Sequence, residues 1–247
     1  MSTTDLNGRT ALVTGSTAGI GRATAELLAS RGAEVVVTGR DADRGQAVVS
    51  SIVAAGGSAR FIVSELGDVA SVRALAEAAG PVDILVNNAA TFPGGALVDQ
   101  DVENFEAAFD LNVRALYFLT AAVVPGMVAR GRGSVVNVST MAASVGMAGL
   151  SAYSGTKAAV EAFTRTWAVE LGAAGVRVNA VAPGPTRTDM VMAAMGEEGA
   201  AAVAGTTILG RLAGPEEIAS VIGFLASDAS SYLTGATIAA DAGRTAI

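Results

Sequence analysis

Apolar residues along the chain fall into short, nearly continuous runs that alternate with longer alanine-rich stretches. The short runs are rich in β-branched residues, as expected for strands that are buried on both faces. They are Arg9–Gly15, Ala33–Gly39, Ala59–Ser64, Val82–Asn88, Gly133–Ser139, Val176–Ala182 and Ala236–Asp241. The longer stretches predict helices at Ile20–Ser30, Gln46–Ala55, Val69–Ala79, Val102–Arg130 and Ala152–Leu171, with another starting at Gly214-Pro215. This alternation predicts an α/β fold with a doubly wound, mainly parallel seven-stranded sheet.

Length and composition predict one domain that spans residues 1–247. The chain is 51% hydrophobic and 16% charged, and no linker or low-complexity stretch interrupts it. The N-terminal sequence MSTTDLNGRT has no apolar core of a signal peptide, and every run of about twenty apolar residues contains charge or glycine. We therefore expect a cytoplasmic protein without a membrane span.

The absence of histidine and cysteine restricts the chemistry. Disulfides, thiolate nucleophiles, Ser-His-Asp triads and the usual zinc sites are all excluded, so no metal site is expected. Acid–base catalysis must then use carboxylates, tyrosine or lysine. The net charge of −7 argues against nucleic acid as a partner, because phosphates would be repelled over most of the surface.

The first predicted strand runs into the sequence TGSTAGIG, with glycine at positions 15, 19 and 21, and then into an amphipathic helix. Glycines at the first strand-to-helix turn let the backbone approach a pyrophosphate, which binds at the helix N-terminus. This position predicts a Rossmann-like dinucleotide site. A tight turn that merely needs small residues is the alternative.

The end of the second strand bears on the choice between NADP and NAD. An acidic residue there would bind an unphosphorylated ribose and repel a 2′-phosphate, but Gly39 occupies that position and Arg40 follows. Because a guanidinium suits a phosphate, NADP(H) is favoured. NAD(H) stays possible, since Asp41 comes next and a different loop path could turn it inward.

The only lysine of the chain, Lys157, stands four residues after Tyr153. Residues four apart lie on one face of a helix, so both side chains can point into one pocket. A nearby ammonium favours the phenolate and is expected to lower the pKa of Tyr153 from about 10 toward neutrality. A compact ammonium can also reach a ribose hydroxyl.

Several motifs together resemble a known family. They are TGSTAGIG, NNAA, Asn112, NVST, YSGTK and APGPTRTD, in the order and spacing of the one-domain short-chain dehydrogenase/reductases, over nearly the whole chain. The resemblance implies an NAD(P)-dependent oxidoreductase that interconverts a carbonyl and a secondary alcohol by hydride transfer. It also implies a catalytic Asn-Ser-Tyr-Lys set in which Asn112 holds a relay water, Tyr153 is the acid/base and Lys157 is the lysine.

The hydroxyl of that set has two candidates. The family's catalytic hydroxyl lies thirteen residues before the tyrosine, which is Thr140 here, whereas Ser139 lies fourteen before it. A threonine hydroxyl can bond a substrate oxygen, although its β-branch restricts the rotamer. Thr140 is therefore favoured, with Ser139 as the alternative.

The resemblance also assigns cofactor-binding positions. Two of them depart from the family pattern, since Ala90 replaces a glycine and Glu65 replaces an aspartate. Thr186 is implied to contact the carboxamide through its backbone, and Thr188 the cofactor through its side chain. The full set is Gly15, Thr17, Gly19, Ile20, Gly21, Arg40, Glu65, Leu66, Asn88, Ala89, Ala90, Tyr153, Lys157, Pro183, Gly184, Thr186 and Thr188.

The substrate is expected to meet an apolar surface. The resemblance places a mobile lid at about residues 188–212, where Met190–Ile208 has three methionines within six residues and no basic residue. This favours a free, uncharged, small to medium apolar ketone or alcohol. The alternative is a 3-oxoacyl-carrier-protein reductase, although Gly131 and Ala174 stand where that subgroup often has arginines beside the site entrance. Arg130 and Arg132 lie close to these positions.

Two further expectations concern other proteins and other functions. The predicted helices Val102–Arg130 and Ala152–Leu171 are apolar around much of their circumference, which indicates a second packing partner and, with the resemblance, a homotetramer. A non-catalytic NADP-binding regulator is the rival class of function. The intact Tyr-Lys pair argues against it, because binding alone does not require a tuned phenol.

Overall fold

Seven parallel strands form one sheet in this computed structural model, which describes residues 5–247. The strands are β1 (Thr10–Val13), β2 (Glu34–Gly39), β3 (Ser58–Val63), β4 (Ile84–Asn87), β5 (Gly133–Val138), β6 (Val176–Pro183) and β7 (Thr237–Ala240). Their order is β3-β2-β1-β4-β5-β6-β7, and every neighbouring pair is parallel. The predicted α/β fold is confirmed.

Within residues 5–247, eight α-helices connect and cover the strands. They are α1 (Gly19–Ser30), α2 (Ala42–Ala54), α3 (Val69–Ala79), α4 (Val102–Phe109), α5 (Leu116–Ala129), α6 (Ser151–Leu171), α7 (Asp189–Ala204) and α8 (Pro215–Ala226). Several begin at the polar residues expected of helix N-caps. The side chains of Asp41, Asp68 and Asp101 accept bonds from the first turns of α2, α3 and α4, and Pro215 opens α8.

The two faces of the sheet carry separate apolar cores. Successive strand residues point to opposite faces, so Val13 packs with α1, α2 and α8, while Leu12 packs with α3, α5 and α6. Both are fully buried. Strands covered on both faces must be apolar at every position, which is why they read as continuous runs in the sequence.

The predicted helix Val102–Arg130 is not uniform. It consists of α4 and α5 joined by a π-helical turn at Asp110–Ala115. Such turns accommodate one extra residue within a helix and are frequent at functional sites. Asn112, one of the predicted catalytic residues, lies inside this turn and is fully buried.

By length and composition, Val102–Ala129 could also cross a membrane, since its mean hydropathy reaches 1.5 over eighteen residues. In this fold one side of the segment, including Leu119 and Met127, is buried against the sheet. Tyr117 and Phe118 on the other side are 40% and 38% exposed. The segment is thus a core helix with a second apolar face, on which Tyr117 packs against Phe163 and Trp167 of α6 and which the described part of this chain leaves partly exposed.

The strand order reverses at β1, which lies between β2 and β4. In open parallel sheets, ligands bind outside the carboxyl ends of the strands at such a switch point. The TGSTAGIG loop leaves β1 at this edge, and Asn88, Thr140 and Gly184 follow β4, β5 and β6 at the same edge. The topology therefore brings the predicted site residues to one side of the sheet.

Candidate active site

The loop between β1 and α1 needs glycine for steric reasons. Gly15 and Gly19 have φ values of +62° and +51°, which disfavour other residues. A Cβ on Gly15 would lie 2.9 Å from the Cα of Ala89, and a Cβ on Gly21 would contact the carbonyl oxygen of Gly15. Helix α1 has neither a side-chain cap nor an acidic residue in its first turn. Its N–H groups are thus left for an anion, as a pyrophosphate site requires.

A small network holds this loop against the end of β4. The Thr14 hydroxyl accepts bonds from the backbone N–H groups of Asn88 (2.9 Å) and Ala89 (3.0 Å). The Asn88 amide donates to the carbonyl oxygens of Thr14 (2.9 Å) and Gly15 (3.1 Å). Asn88 therefore fixes the glycine loop, and Ala89 and Ala90 continue from it along the same edge.

The loop after β2 shows whether Asp41 is free to turn toward a cofactor, which the sequence leaves open. Asp41 accepts a bond from the backbone N–H of Arg44 at 3.0 Å as the N-cap of α2, so its carboxylate is already engaged. A Cβ on Gly39 would lie 2.6 Å from the methyl group of Thr17, which leaves little room for an acidic side chain. Arg40 is exposed and forms no ion pair within residues 5–247.

The loop after β3 contains two predicted cofactor-binding residues, one with an exposed side chain and one with a buried side chain. The Glu65 side chain is exposed, whereas the Leu66 side chain is buried in the core beside Leu116. Leu66 has a φ of +51°, a strained conformation for a branched residue. A contact of Leu66 with a cofactor would therefore involve its backbone. Ile20 is similar, because its side chain packs on the other core.

Three consecutive residues at the end of β5 each contact a residue of α6. The carbonyl oxygen of Val138 accepts a 2.8 Å bond from Lys157 Nζ. Ser139 Oγ donates a 2.6 Å bond to Glu161 Oε1. The Thr140 side chain lies near the phenol of Tyr153 and acts to lower its pKa. The hydroxyl beside the phenol is thus that of Thr140, while Ser139 points toward Glu161.

Burial decides the protonation of the tyrosine and lysine. Desolvation raises the pKa of Tyr153 to about 12, and the nearby Thr140 side chain offsets only part of this shift. Desolvation also lowers the pKa of Lys157 to about 8. The ammonium lies 5.9 Å from the centre of the Tyr153 ring and bonds a backbone carbonyl instead of the phenol. The expectation of a lowered tyrosine pKa is therefore wrong, because in this chain desolvation outweighs the effects that favour the phenolate.

Asn112 connects the π-helical turn to the loop after β4. Its side chain accepts a bond from Thr91 N (2.9 Å) and donates to Thr91 O (3.0 Å) and to Thr156 Oγ1 (3.1 Å). Both amide hydrogens are thus used within the protein. Phe92, which follows Thr91 in the chain, packs edge-on against Tyr153 with ring centres 4.7 Å apart. Asn112 therefore holds the loop that places an aromatic ring beside the phenol of Tyr153.

The loop after β6 completes the edge. Pro183 ends β6 in the interior, and a Cβ on Gly184 would lie 2.6 Å from Asp241 Cα. Thr186 is buried and its hydroxyl donates to the Gly184 carbonyl at 3.0 Å. Thr188 caps α7 by accepting a bond from Val191 N, and its methyl group lies against Gly19. The start of the predicted lid thus touches the glycine loop.

Sequence reasoning missed several residues that build the site. Phe92 follows a loop that no periodicity describes, so nothing indicates that its ring meets Tyr153. The Thr14 hydroxyl accepts bonds from backbone groups after β4, and the Thr91 backbone bonds the side chain of Asn112, and a linear pattern cannot show either contact. Glu161 could have been found, because it lies four residues after Lys157 and hence on the same helix face.

Comparisons with known proteins agree with this geometry. A family model described as "Enoyl-(Acyl carrier protein) reductase" matches residues 15–245. The cis-4-hydroxycyclohexanecarboxylate dehydrogenase of Sinomonas cyclohexanicum is 41% identical over 244 residues, which are 97% of each chain. The 3-oxoacyl-[acyl-carrier-protein] reductase FabG of Vibrio cholerae is 38% identical over 240 residues, covering 97% of this chain and 98% of the relative.

A solved structure with bound NADP at low occupancy is also similar. It comes from Beutenbergia cavernae, is provisionally named an NAD(P) dependent gluconate 5-dehydrogenase, and has a TM-score of 0.95 and 36% identity over the whole of both chains. The chain described here belongs to the short-chain dehydrogenase/reductase family. It is an NAD(P)-dependent enzyme that interconverts carbonyl and alcohol groups, and the non-catalytic alternative is set aside.

Proposed function

We propose that this enzyme uses NADPH to reduce a small to medium, uncharged apolar ketone. The observation that carries the proposal is the position of the Thr140 side chain near the Tyr153 phenol, with Lys157 bonded to the adjacent Val138, at the carboxyl edge of the sheet. Two hydroxyl donors side by side suit the oxygen of a carbonyl group, which accepts both bonds. The glycine loop at the same edge supports a nicotinamide cofactor nearby.

Each residue of the catalytic set has a separate task in this proposal. The cofactor, when bound, supplies the hydride. Thr140 donates a hydrogen bond to the carbonyl oxygen, and Tyr153 donates the proton. Lys157 lies close enough for its ammonium to stabilise the phenolate that remains. Asn112 keeps Thr91 and Phe92 in place. A pKa of about 12 keeps the phenol protonated at neutral pH, which suits reduction.

The residues around the glycine loop fit the rest of the cofactor. The uncapped N-terminus of α1 suits the pyrophosphate. Residues further along the edge are assigned to the ribose, the adenine and the carboxamide. The residues proposed to hold the cofactor are Gly15, Thr17, Gly19, Ile20, Gly21, Arg40, Glu65, Leu66, Asn88, Ala89, Ala90, Tyr153, Lys157, Pro183, Gly184, Thr186 and Thr188.

The preference for NADP(H) over NAD(H) rests on Arg40. Its exposed guanidinium follows Gly39, and the neighbouring carboxylate of Asp41 is engaged in capping α2. Arg40→Ala is expected to lower the ratio of kcat/KM for NADPH over NADH by roughly tenfold or more, because a charge-assisted contact is lost. Arg73→Ala, an exposed arginine on α3, serves as the control. An unchanged ratio in Arg40→Ala would contradict the assignment.

An apolar, uncharged substrate follows from the lid. Met190 is 51% exposed, and Met192 and Met195 are half-buried. The cations that flank α7 are both engaged, since Arg187 and Arg211 form two-bond pairs with nearby glutamates. A negatively charged substrate would find little free positive charge there. The Sinomonas relative is named for a secondary alcohol on a six-membered ring, which is compatible with an apolar pocket.

A carrier-bound acyl chain is the second candidate substrate, favoured by the similarity to the Vibrio reductase. Arg130 and Arg132 could attract an acidic carrier. Both lie within 3.7 Å of the Asp83 carboxylate, just before β4 and β5, at the edge of the sheet opposite Tyr153. Their position in this chain therefore gives the carrier alternative little support.

A substrate panel tests the two candidates. Purified enzyme with NADPH would be assayed against cyclic ketones, acyclic ketones and an acetoacetyl carrier-protein thioester, following loss of reduced-cofactor absorbance. We expect cyclic and medium-length apolar ketones to give the highest kcat/KM. A value far higher for the carrier thioester than for every free ketone would overturn the proposed substrate.

The proposal extends to the lid, the assembly and the location of the enzyme. Residues 188–212 are assigned as a lid that moves, within one domain of residues 1–247. The partly exposed apolar face of α5, with Tyr117 and Phe118, and the exposed Val169 on α6 support a homotetramer. Light scattering at micromolar concentration tests this, and a monomer would contradict it. A cytoplasmic location is proposed, in keeping with a nicotinamide-dependent reaction.

A further inference from the structure

Glu161 has no task in the reaction as proposed, although it forms a short contact at the catalytic edge. Its carboxylate accepts the 2.6 Å bond from the Ser139 hydroxyl. It is half-buried and forms no ion pair in the part of the chain that the structure describes. Among the described residues, the other acceptor near that hydroxyl is the carbonyl oxygen of Lys157, at 3.5 Å. The carboxylate is therefore the main partner of a buried hydroxyl.

The position of Glu161 on its helix explains why this contact matters. Tyr153, Lys157 and Glu161 follow one another at four-residue intervals and so lie along one face of α6. The residues that face them, Thr140, Val138 and Ser139, are consecutive in the chain, and Val138 is the last residue of β5. The contact of Ser139 is the central one of the three on the strand. Moving Ser139 would displace both of its neighbours, because the backbone connects them directly.

We propose that Glu161 is a positioning residue, which holds Ser139 so that Val138 and Thr140 stay in register with Lys157 and Tyr153. This inference rests on the roles proposed above for Thr140, Tyr153 and Lys157. Glu161 touches neither the substrate nor the reacting atoms. Its charge strengthens the bond, since hydrogen bonds to an ionised acceptor are shorter and stronger than neutral ones.

Kinetics of two Glu161 variants test the proposal. Glu161→Ala is expected to lower kcat about tenfold or more, because small displacements of reacting groups are costly, while KM for NADPH changes less than about threefold. Glu161→Gln keeps an acceptor oxygen and is expected to restore most of kcat. Glu170→Ala, which removes an exposed glutamate from the same helix, is the control for general effects. A folded Glu161→Ala enzyme with wild-type kcat would overturn the inference.

A double-mutant cycle separates the contact from other effects of either side chain. If Glu161 acts through Ser139, the double variant Ser139→Ala/Glu161→Ala should be no slower than the worse single variant. If the reductions in kcat caused by the two single variants multiply in the double variant, Glu161 does not act through Ser139.

Hydrogen exchange gives a test that does not depend on turnover. The peptide Val138–Ala143 should exchange faster in Glu161→Ala than in wild type and Glu170→Ala. If wild type reduces no ketone, the proposed function fails, but hydrogen exchange still shows whether Glu161 holds Ser139 in place. Unchanged exchange in this peptide would count against Glu161 as a positioning residue.

Discussion

The proposed catalytic edge and the proposed lid are held in different ways. At the catalytic edge, which comprises Val138–Thr140 and Tyr153–Glu161, side chains are tied to a neighbouring element by short bonds, and Lys157 is buried. The lid, residues 188–212, exposes Met190 and Leu209 and is linked to its surroundings by surface ion pairs. Surface pairs contribute little stability, whereas buried, fully bonded groups resist movement.

The difference indicates that the two regions have separate functions, one in proton transfer and the other in binding the substrate. Groups that move protons need a defined geometry, so they lie where two packed elements meet. A surface that admits different substrates benefits from flexible side chains such as methionine. The kink in α7 fits a flexible substrate-binding surface, since Gly196 interrupts the helix with a φ of +64°. Variants in the catalytic edge should therefore change kcat strongly, and variants in the lid should change KM modestly.

The largest effect is expected at Tyr153. Tyr153→Phe should lower kcat by about a thousandfold or more, because the proton donor is lost. Binding of NADPH, measured by fluorescence titration, should stay within about threefold of wild type. Tyr232→Phe alters a fully exposed tyrosine and is the control. Residual activity above about a tenth in Tyr153→Phe would remove this residue from the mechanism.

The second-largest effect tests whether Thr140 or Ser139 supplies the catalytic hydroxyl. Thr140→Ala should lower kcat about a hundredfold, as expected for loss of a donor to the substrate oxygen. Thr140→Ser should retain much of the activity, because it keeps the hydroxyl. Ser139→Ala should be clearly less damaging than Thr140→Ala, since Ser139 donates to Glu161. The reverse order would transfer the role to Ser139.

The third effect concerns stability. Lys157 has its pKa lowered from 10.5 to about 8, so between these values the unfolded chain binds more protons than the folded one. Unfolding free energy should therefore rise as pH increases from 8 to 10, by on the order of 2 kcal/mol from this group. Lys157→Met should be more stable than wild type at pH 7 and should lose this rise. An identical pH dependence in both proteins, measured by urea denaturation, would contradict buried charge as its cause.

The smallest effect is expected in the lid. Gly196→Ala places a side chain at positive φ, although a Cβ there meets no atom within 4 Å. The conformational penalty of about 1 kcal/mol should shift the lid and change KM for the ketone by roughly fivefold, with kcat nearly unchanged. Gly172→Ala, with equal space and a helical φ of −59°, is the matched control. A loss of kcat in Gly196→Ala would show that the lid also aligns the reacting groups.

Local chemistry explains which features were predictable. The inner strands are buried on both faces and the edge strands β3 and β7 are partly buried, yet all seven read as short β-branched runs, so the sequence pattern located each within a few residues. The pairing of Tyr153 with Lys157 was visible because helical spacing is regular. The contact between Phe92 and Tyr153 depends on how Asn112 holds a loop, and no linear pattern contains that information. The pKa of Tyr153 was predicted in the wrong direction, because burial is a property of the folded chain.

The π-helical turn at Asp110–Ala115 also has a consequence for how variation in this helix should be interpreted. In an α-helix each residue advances the side-chain direction by about 100°, so one extra residue shifts the phase between α4 and α5. A periodic pattern traced backward from α5 therefore assigns the wrong side to residues of α4. Deleting one residue from the turn would leave a regular helix of nearly the same length, yet it would rotate either Asn112 or the sheet-facing side of α5 out of place.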